Sequence, residues 1–274
     1  MQRKLFCEIS PMTYRLSVYK QTIQRKWKDF WSGEKFASSK STSLLPVLVY
    51  SHKSLMKRTL GNVDQRLQEN KVINLNLAAP KVSGILIEPG EIFSFWRLVG
   101  PCTKSRGYQE GLFISSGKTS KGVGGGMCQF TNLIHWMLLH TSLKIVEHHH
   151  HDGIDLFPDH GRQVPFGLGT SIMYNYIDYR FRNTGNQTYQ LIVYTTDRYL
   201  CGEIRTTKAL PIKYHIWTDD EHFIREGENV YRKGRVLRRC IDKRTGKTLN
   251  EELLKENHAK VLYDFHFPLD NNSL

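Results

Sequence analysis

The chain lacks paired cysteines and long apolar runs. Its 274 residues include five widely spread cysteines without a CxxC pair, so neither a structural zinc site nor a disulfide framework is predicted. No window approaches the roughly 18 consecutive apolar residues that a membrane-spanning helix needs. The basic N-terminal residues contain no apolar segment of signal-peptide length. We therefore expect a cytoplasmic protein that has no transmembrane segment and no cofactor.

Acidic residues are also scarce relative to basic ones. The chain has 26 Asp and Glu against 39 Lys and Arg, which gives a formal charge of +13. This balance favours polyanionic partners such as nucleic acid, anionic lipid or cell-wall polymer, although lysines on solvated faces also account for it. Nucleic acid is not expected, because no Lys/Arg run is interleaved with aromatic residues.

The hydrophobic pattern predicts an α+β protein in three regions. Residues 1–73 form an N-terminal helical region, in which Trp27, Phe30 and Trp31 give one helix an apolar side. Residues 74–198 form the core domain, with a central cysteine-bearing helix packed on a mainly antiparallel sheet. Residues 199–274 form a β-rich C-terminal extension of short strands.

The most informative stretch is the sequence GGGMCQ at residues 124–129. Apolar residues recur at intervals of three and four after it, which places Cys128 in the first turn of a helix. Backbone N–H groups and the helix dipole lower a thiol's pKa at that position. We expect Cys128 to be a nucleophile, with substrate contacts from the loop and the helix start. The substrate-binding residues in this hypothesis are Gly124, Gly125, Gly126 and Gln129. The alternative is that Cys128 is a small buried hydrophobic residue.

Four consecutive histidines, 148–151, follow a predicted strand. Alternate residues of an extended segment share a face, so His149 and His151 point one way and His148 and His150 the other. We expect His151 or His149 to act as general base beside Cys128. Asp178 is the first candidate to orient the imidazole, with Asp155 and Asn175 as alternatives.

A metal site using His149 and His151 is a further alternative. A nearby aspartate would have to complete the ligand set, and the candidates are Asp152, Asp155 and Asp159. The spacing does not match a recognised zinc signature. We therefore assign no metal ligand from the sequence.

A set of short motifs between residues 74 and 194 resembles the VanW family, which is named for an accessory protein encoded with vancomycin-resistance genes. The matching segments are PGEIFSF at 89–95, GY at 107–108, GGGMCQ at 124–129, the 147–151 tract, FPD at 157–159, GR at 161–162, PFG at 165–167 and YNYID at 174–178. Cys128, Gln129, His149 and His151 fall on matching positions. His148 and Asp152 depart from the family pattern, which commonly has Arg and Ser there. The resemblance implies a link to glycopeptide resistance or cell-wall metabolism, but no reaction.

Three functions follow from these observations. The leading hypothesis is a hydrolase or acyltransferase with Cys128 as nucleophile and a histidine as base. The second is a non-catalytic module that binds a peptide or an anionic cell-wall precursor at the glycine loop. The third is a histidine-based metal-binding accessory protein.

Overall fold

The computed structural model describes residues 5–57, 64–115, 118–150, 153–156, 158–159 and 163–265. The helices in these ranges are α1 (Pro11–Trp31), α2 (Gln65–Val82), α3 (Phe95–Val99) and α4 (Met127–Leu138), with 3-10 turns at Phe6–Glu8 and Lys104–Arg106. The strands are β1 (Val47–Leu55), β2 (Ile85–Ile87), β3 (Ile92–Ser94), β4 (Glu110–Ser115), β5 (Lys118–Val123), β6 (Lys144–Glu147), β7 (Ile154–Asp155), β8 (Arg180–Arg182), β9 (Tyr189–Thr195), β10 (Tyr199–Thr206), β11 (Ile212–Glu226), β12 (Asn229–Asp242) and β13 (Thr248–Val261).

The strands form mainly antiparallel sheets, which confirms the predicted α+β class. One sheet has the order β1-β10-β9-β2, a second β3-β8-β6, and a third β11-β12-β13-β7, while β4 and β5 form a separate hairpin. The β13–β7 pair is parallel. No helix in the described ranges is both long and apolar enough to cross a membrane.

Helix α4 packs on the first sheet and occupies the centre of the core. Its apolar residues recur at helical spacing, and Phe130, Leu133, Ile134 and Met137 are almost completely buried. Gly202 of β10 permits the close approach, since a Cβ atom there would lie 2.5 Å from Cε of Met137. The cysteine-bearing helix therefore lies on a mainly antiparallel sheet, as predicted.

The C-terminal region is β-rich, but its strands are long. Strands β11, β12 and β13 contain 15, 14 and 14 residues, where the sequence predicted short strands. A turn at 243–247 joins β12 to β13. Residues 172–176 lie outside the strands, in the segment that leads to β8.

The elements do not respect the proposed region boundaries. Strand β1 lies within the N-terminal region, yet it pairs with β10 in the central sheet. The boundary at residue 73 falls inside α2, and the boundary at 198 separates β9 from its neighbour β10. Strand pairing between residues distant in sequence is the physical reason, because hydrophobic periodicity reports local structure only.

Candidate functional site

The glycine loop leads directly into α4, as the sequence predicted. Gly126 precedes the helix with a φ of 107°, and Cys128 lies in the first turn. Gly124 also has a positive φ of 88°. Residues other than glycine rarely adopt these angles, so the loop conformation itself requires glycine at both positions.

Tight packing accounts for all three glycines. A Cβ atom on Gly125 would lie 2.5 Å from backbone atoms of Gly111, and one on Gly126 would lie 2.5 Å from Cγ of Lys71. A Cβ atom on Gly124 would overlap the side chain of Cys102. The loop therefore packs against β4, α2 and Cys102, and other protein atoms fill the space beside the Cα atom of each glycine.

Asn74 of α2 fastens the same loop, although the sequence did not single it out. This fully buried side chain donates to the backbone oxygens of Gln109 (3.0 Å) and Gly125 (2.9 Å). Its oxygen accepts a hydrogen bond from the backbone N–H of Gln109 at 2.8 Å. Buried amides normally have such partners, so Asn74 fixes the loop by satisfying all of its own polar atoms.

Gln129, predicted to contact substrate, bonds to protein. Its Nε2 atom donates to Oγ of Ser54 (2.9 Å) and to the backbone oxygen of Leu55 (2.8 Å). Both partners lie at the end of β1. Gln129 thus connects the first turn of α4 to β1, the edge strand of the β1-β10-β9-β2 sheet.

The environment of Cys128 acts against thiolate formation. Burial raises the pKa of its thiol, and a hydrogen bond from the backbone of Ile172 only partly opposes this effect. The sequence predicted a lowered pKa from the helix start. The direction is reversed because desolvation disfavours the charged form more than the helix start stabilises it.

The histidine segment has the predicted alternation. His148 and His150 share one side, with ring centroids 3.9 Å apart, and the His148 ring contacts the buried His135 ring at 4.2 Å. Nδ1 of His135 is 2.9 Å from the hydroxyl of Tyr179. Burial lowers the pKa of His148 to about 4 and lowers that of His135 well below its usual value. His148 and His135 are therefore neutral at pH 7.

His149 points to the opposite side and is exposed. Its Nε2 atom is 3.2 Å from Oε1 of Glu147, and its backbone oxygen accepts a hydrogen bond from Ser171 at 2.7 Å. His151, the other proposed base, lies outside the described residues. Within the described ranges, no hydrogen bond joins the thiol of Cys128 to an imidazole.

Asp178 is fully buried and bonds to groups other than histidine. It accepts hydrogen bonds from Oγ of Ser94 (2.5 Å), from the backbone of Trp96 (3.1 Å) and from Nε of Arg180 (2.7 Å). Burial raises its pKa, and Arg180 opposes that effect. The carboxylate therefore orients Arg180 and the β3–α3 turn. Asp155, an alternative, pairs with the buried Arg232 at 3.3 Å.

A cavity of about 280 Å³ lies beside the histidine segment. Part of its lining comes from β7 and the neighbouring loops: His150, Gly153, Ile154, Phe166, Gly167 and Gly169. The rest comes from β13: Lys255, Glu256, Asn257, His258 and Ala259. Nothing in the sequence predicted β13 at this cavity, because residues 255–259 do not form a recognisable sequence motif.

Asn257 joins the two walls of this cavity. It is buried, and its Nδ2 atom donates to the backbone oxygen of Phe166 at 2.9 Å. Gly167 has a φ of 87°, and a Cβ atom there would overlap the Asn257 amide. The PFG motif at 165–167 therefore packs directly against β13, and its glycine leaves room for the Asn257 side chain. Among the residues that the structure describes, no group of three His, Cys, Asp or Glu side chains is placed to hold a metal ion.

Comparison with known proteins gives the family. The model of the family "VanW like protein" matches residues 70–205. The chain is 34% identical over 262 residues to the vancomycin B-type resistance protein VanW of Enterococcus faecalis, which covers 96% of this chain and 88% of that relative. The chain belongs to the VanW family. The family match begins inside α2 and ends within β10, so it includes the glycine loop, the histidine segment and the PFG motif.

A second relative matches a shorter stretch of the chain. The chain is 32% identical over 117 residues to the uncharacterised protein YoaR of Bacillus subtilis, a match that covers 42% of this chain and 36% of YoaR. No solved structure matches the chain. The residues of β13 that line the cavity lie beyond the VanW family match, in the C-terminal extension.

Proposed function

We propose that this member of the VanW family is a non-catalytic binding module of glycopeptide resistance or cell-wall metabolism. Its ligand is a peptide or cell-wall precursor with a free carboxylate, held in the cavity between the histidine segment and β13. The observation that carries the proposal is the lining of that cavity. His150 supplies an imidazole and Lys255 a cationic group. Lys255 lies on the same face of β13 as Asn257, whereas His258 pairs with Glu226 on the opposite face.

The size and shape of the cavity suit the end of a chain rather than a whole polymer. Its volume of about 280 Å³ is at the lower limit of small-ligand sites. Phe166 supplies an apolar wall, and Asn257 holds that wall against the strand. Rigid walls lower the entropic cost of binding, which favours recognition of a short terminal group.

The thiol hydrolase has less support than the binding module. A nucleophilic cysteine needs a thiolate and a base within hydrogen-bond reach. Burial raises the pKa of Cys128, and the loop glycines and Gln129 are used in packing. Slow alkylation of Cys128 in the folded protein is therefore expected. Alkylation faster than that of the unfolded chain would restore the catalytic hypothesis.

The biological context is proposed from the relatives. The name of the E. faecalis relative links that protein to B-type vancomycin resistance. A module that holds cell-wall precursors fits such a context without a reaction of its own. The positive charge of +13 would also attract anionic precursors to the protein.

Calorimetry with a cell-wall stem peptide tests the binding module. The peptide with a free C-terminal carboxylate is expected to bind, and its C-terminal amide to bind at least about tenfold more weakly, because the amide has no charge for Lys255. The Lys255→Gln variant should show the same loss, whereas Lys247→Gln, an exposed change in the β12–β13 turn, and Cys128→Ser should not. Equal binding of acid and amide, or no binding by either, would refute the proposal.

A further inference from the structure

Helix α1 is oriented with its polar side toward the protein. Arg25 and Asp29 are among its least exposed side chains, with 17% and 8% of their side-chain surface accessible. No residue of the helix is buried. A surface helix of a globular protein normally turns its apolar stripe inward, so this orientation is reversed.

Ion pairs hold the polar side in place. Arg25 contacts Glu147 through two hydrogen bonds of 2.5 and 2.7 Å, and Asp29 binds Arg180 through two of 2.7 Å. Paired, two-point bonds of this kind fix orientation as well as position. The rotation of α1 about its axis is therefore set by its attachment to β6 and β8.

The opposite side of α1 is a continuous apolar stripe. Its members recur at intervals of three and four along the helix, so they lie on one face. They are Met12, Leu16, Tyr19, Ile23, Trp27, Phe30 and Trp31. Trp27, Phe30 and Trp31 are 60%, 77% and 73% exposed. Scattered exposed hydrophobics are ordinary, but an aligned row ending in three aromatics marks an interaction surface.

Basic residues border the stripe. At about 100° of rotation per residue, Arg15 and Lys26 fall along one edge and Lys20 along the other, and all three are exposed. The only acidic residue of α1 is Asp29, which faces the protein. The outer face is thus apolar along its centre and positive at both edges.

We propose that α1 docks on the surface of an anionic lipid bilayer, lying parallel to it with the apolar stripe in the boundary between headgroups and acyl chains. Helices with this combination of Trp, Phe and Leu on one face and Lys or Arg beside them bind in that plane. Tryptophan and tyrosine are enriched at the same depth in membranes. The helix of 21 residues would lie along about 30 Å of surface.

Charge favours a bilayer over a second copy of the chain. A symmetric dimer through α1 would place Arg15, Lys20 and Lys26 near the same residues of the partner, with no acid on that face to neutralise them. Anionic headgroups would instead neutralise all three. The attachment through Asp29 and Glu147 leaves the stripe available, since those ion pairs lie on the other side of the helix.

Vesicle co-sedimentation tests the inference. The full chain is expected to sediment with vesicles of phosphatidylglycerol and phosphatidylcholine, and much less with phosphatidylcholine alone. The triple variant Trp27→Ser, Phe30→Ser, Trp31→Ser should bind at least about tenfold more weakly, because three apolar anchors are lost. The matched control is Leu249→Ser with Leu253→Ser, which removes two exposed apolar residues of β13.

Separate variants test whether the lysines beside the apolar stripe contribute to vesicle binding. Lys20→Gln with Lys26→Gln should weaken binding to the anionic vesicles, whereas Lys243→Gln with Lys247→Gln should not. Equal melting temperatures would show that each variant is folded. Failure of the wild type to bind anionic vesicles would overturn the proposal, as would full binding by the triple variant. A stable dimer by light scattering that the triple variant abolishes, without vesicle binding, would assign the stripe to a second copy.

Discussion

A single added methyl group at Gly125 should destabilise the protein measurably. In the Gly125→Ala variant, Cβ would lie 2.5 Å from the Cα and C atoms of Gly111 and 2.8 Å from the N atom of Leu112. All of these are backbone atoms of β4, so no side chain can rotate away. Gly125 does not have a positive φ, and the penalty is therefore steric rather than conformational.

The size of the effect follows from the overlap. Ordinary carbon contacts begin near 3.5 Å, so β4 must move by roughly 1 Å relative to the loop. Overpacking of this kind costs about 1–3 kcal/mol. For a chain of this length that corresponds to a lower melting temperature by about 2–5 °C.

The assay is thermal or urea unfolding beside a matched glycine variant. Gly169→Ala is the control, because a Cβ atom there would meet no heavy atom within 4 Å. Its stability should stay within about 0.5 kcal/mol of the wild type or rise slightly. If the melting temperature of Gly125→Ala equals that of the wild type, the packing explanation of the glycine run fails. The loop would then have to be open, as the substrate-binding hypothesis requires.

Three further changes test the contacts around β6 and β8. Asp29→Asn should lower the free energy of unfolding by about 1–3 kcal/mol in urea titrations, because Arg180 loses a two-point charged partner but keeps Asp178; an unchanged midpoint would contradict this. Burial holds the pKa of His148 near 4, so unfolded chains bind the extra proton first and stability should fall as pH drops from about 6.5 toward 4. The His148→Asn variant should reduce the slope of that part of the curve, to which the buried His135 also contributes. Glu147 differs: burial acts to raise its pKa, but the bonds from Arg25 and from the backbone of residue 178 lower it overall. Its stabilisation should be present above about pH 4.5 and disappear in more acidic solution, an acid limb that Glu147→Gln should lack.

Local patterns in the sequence predicted local features well. The start of α4 at the glycine run, the alternation of the histidines and the strand-rich C-terminus all follow from spacing over a few residues. Features that depend on distant pairing did not follow. The attachment of β1 to β10 and the contribution of β13 to the cavity join residues far apart in sequence, and periodicity contains no information about such pairs.

Helix α1 shows the same limit in its orientation. Its apolar side was visible in the sequence through Trp27, Phe30 and Trp31, and an apolar side ordinarily predicts the buried face. The buried face is instead chosen by Arg25 and Asp29, whose partners Glu147 and Arg180 lie more than 100 residues away. The amphipathic pattern fixed the two faces of the helix, but only the ion pairs decide which one meets the protein.

The glycine run and Cys128 illustrate how one motif supports opposite interpretations. Three glycines before a helix permit a ligand to approach backbone N–H groups, and they equally permit other backbone to do so. Here Gly111 and Lys71 take up that space. Burial also raises the pKa of the Cys128 thiol, which disfavours the thiolate. Activation of Cys128 would require a nearby cation or greater hydration to offset the desolvation that raises the pKa of its thiol.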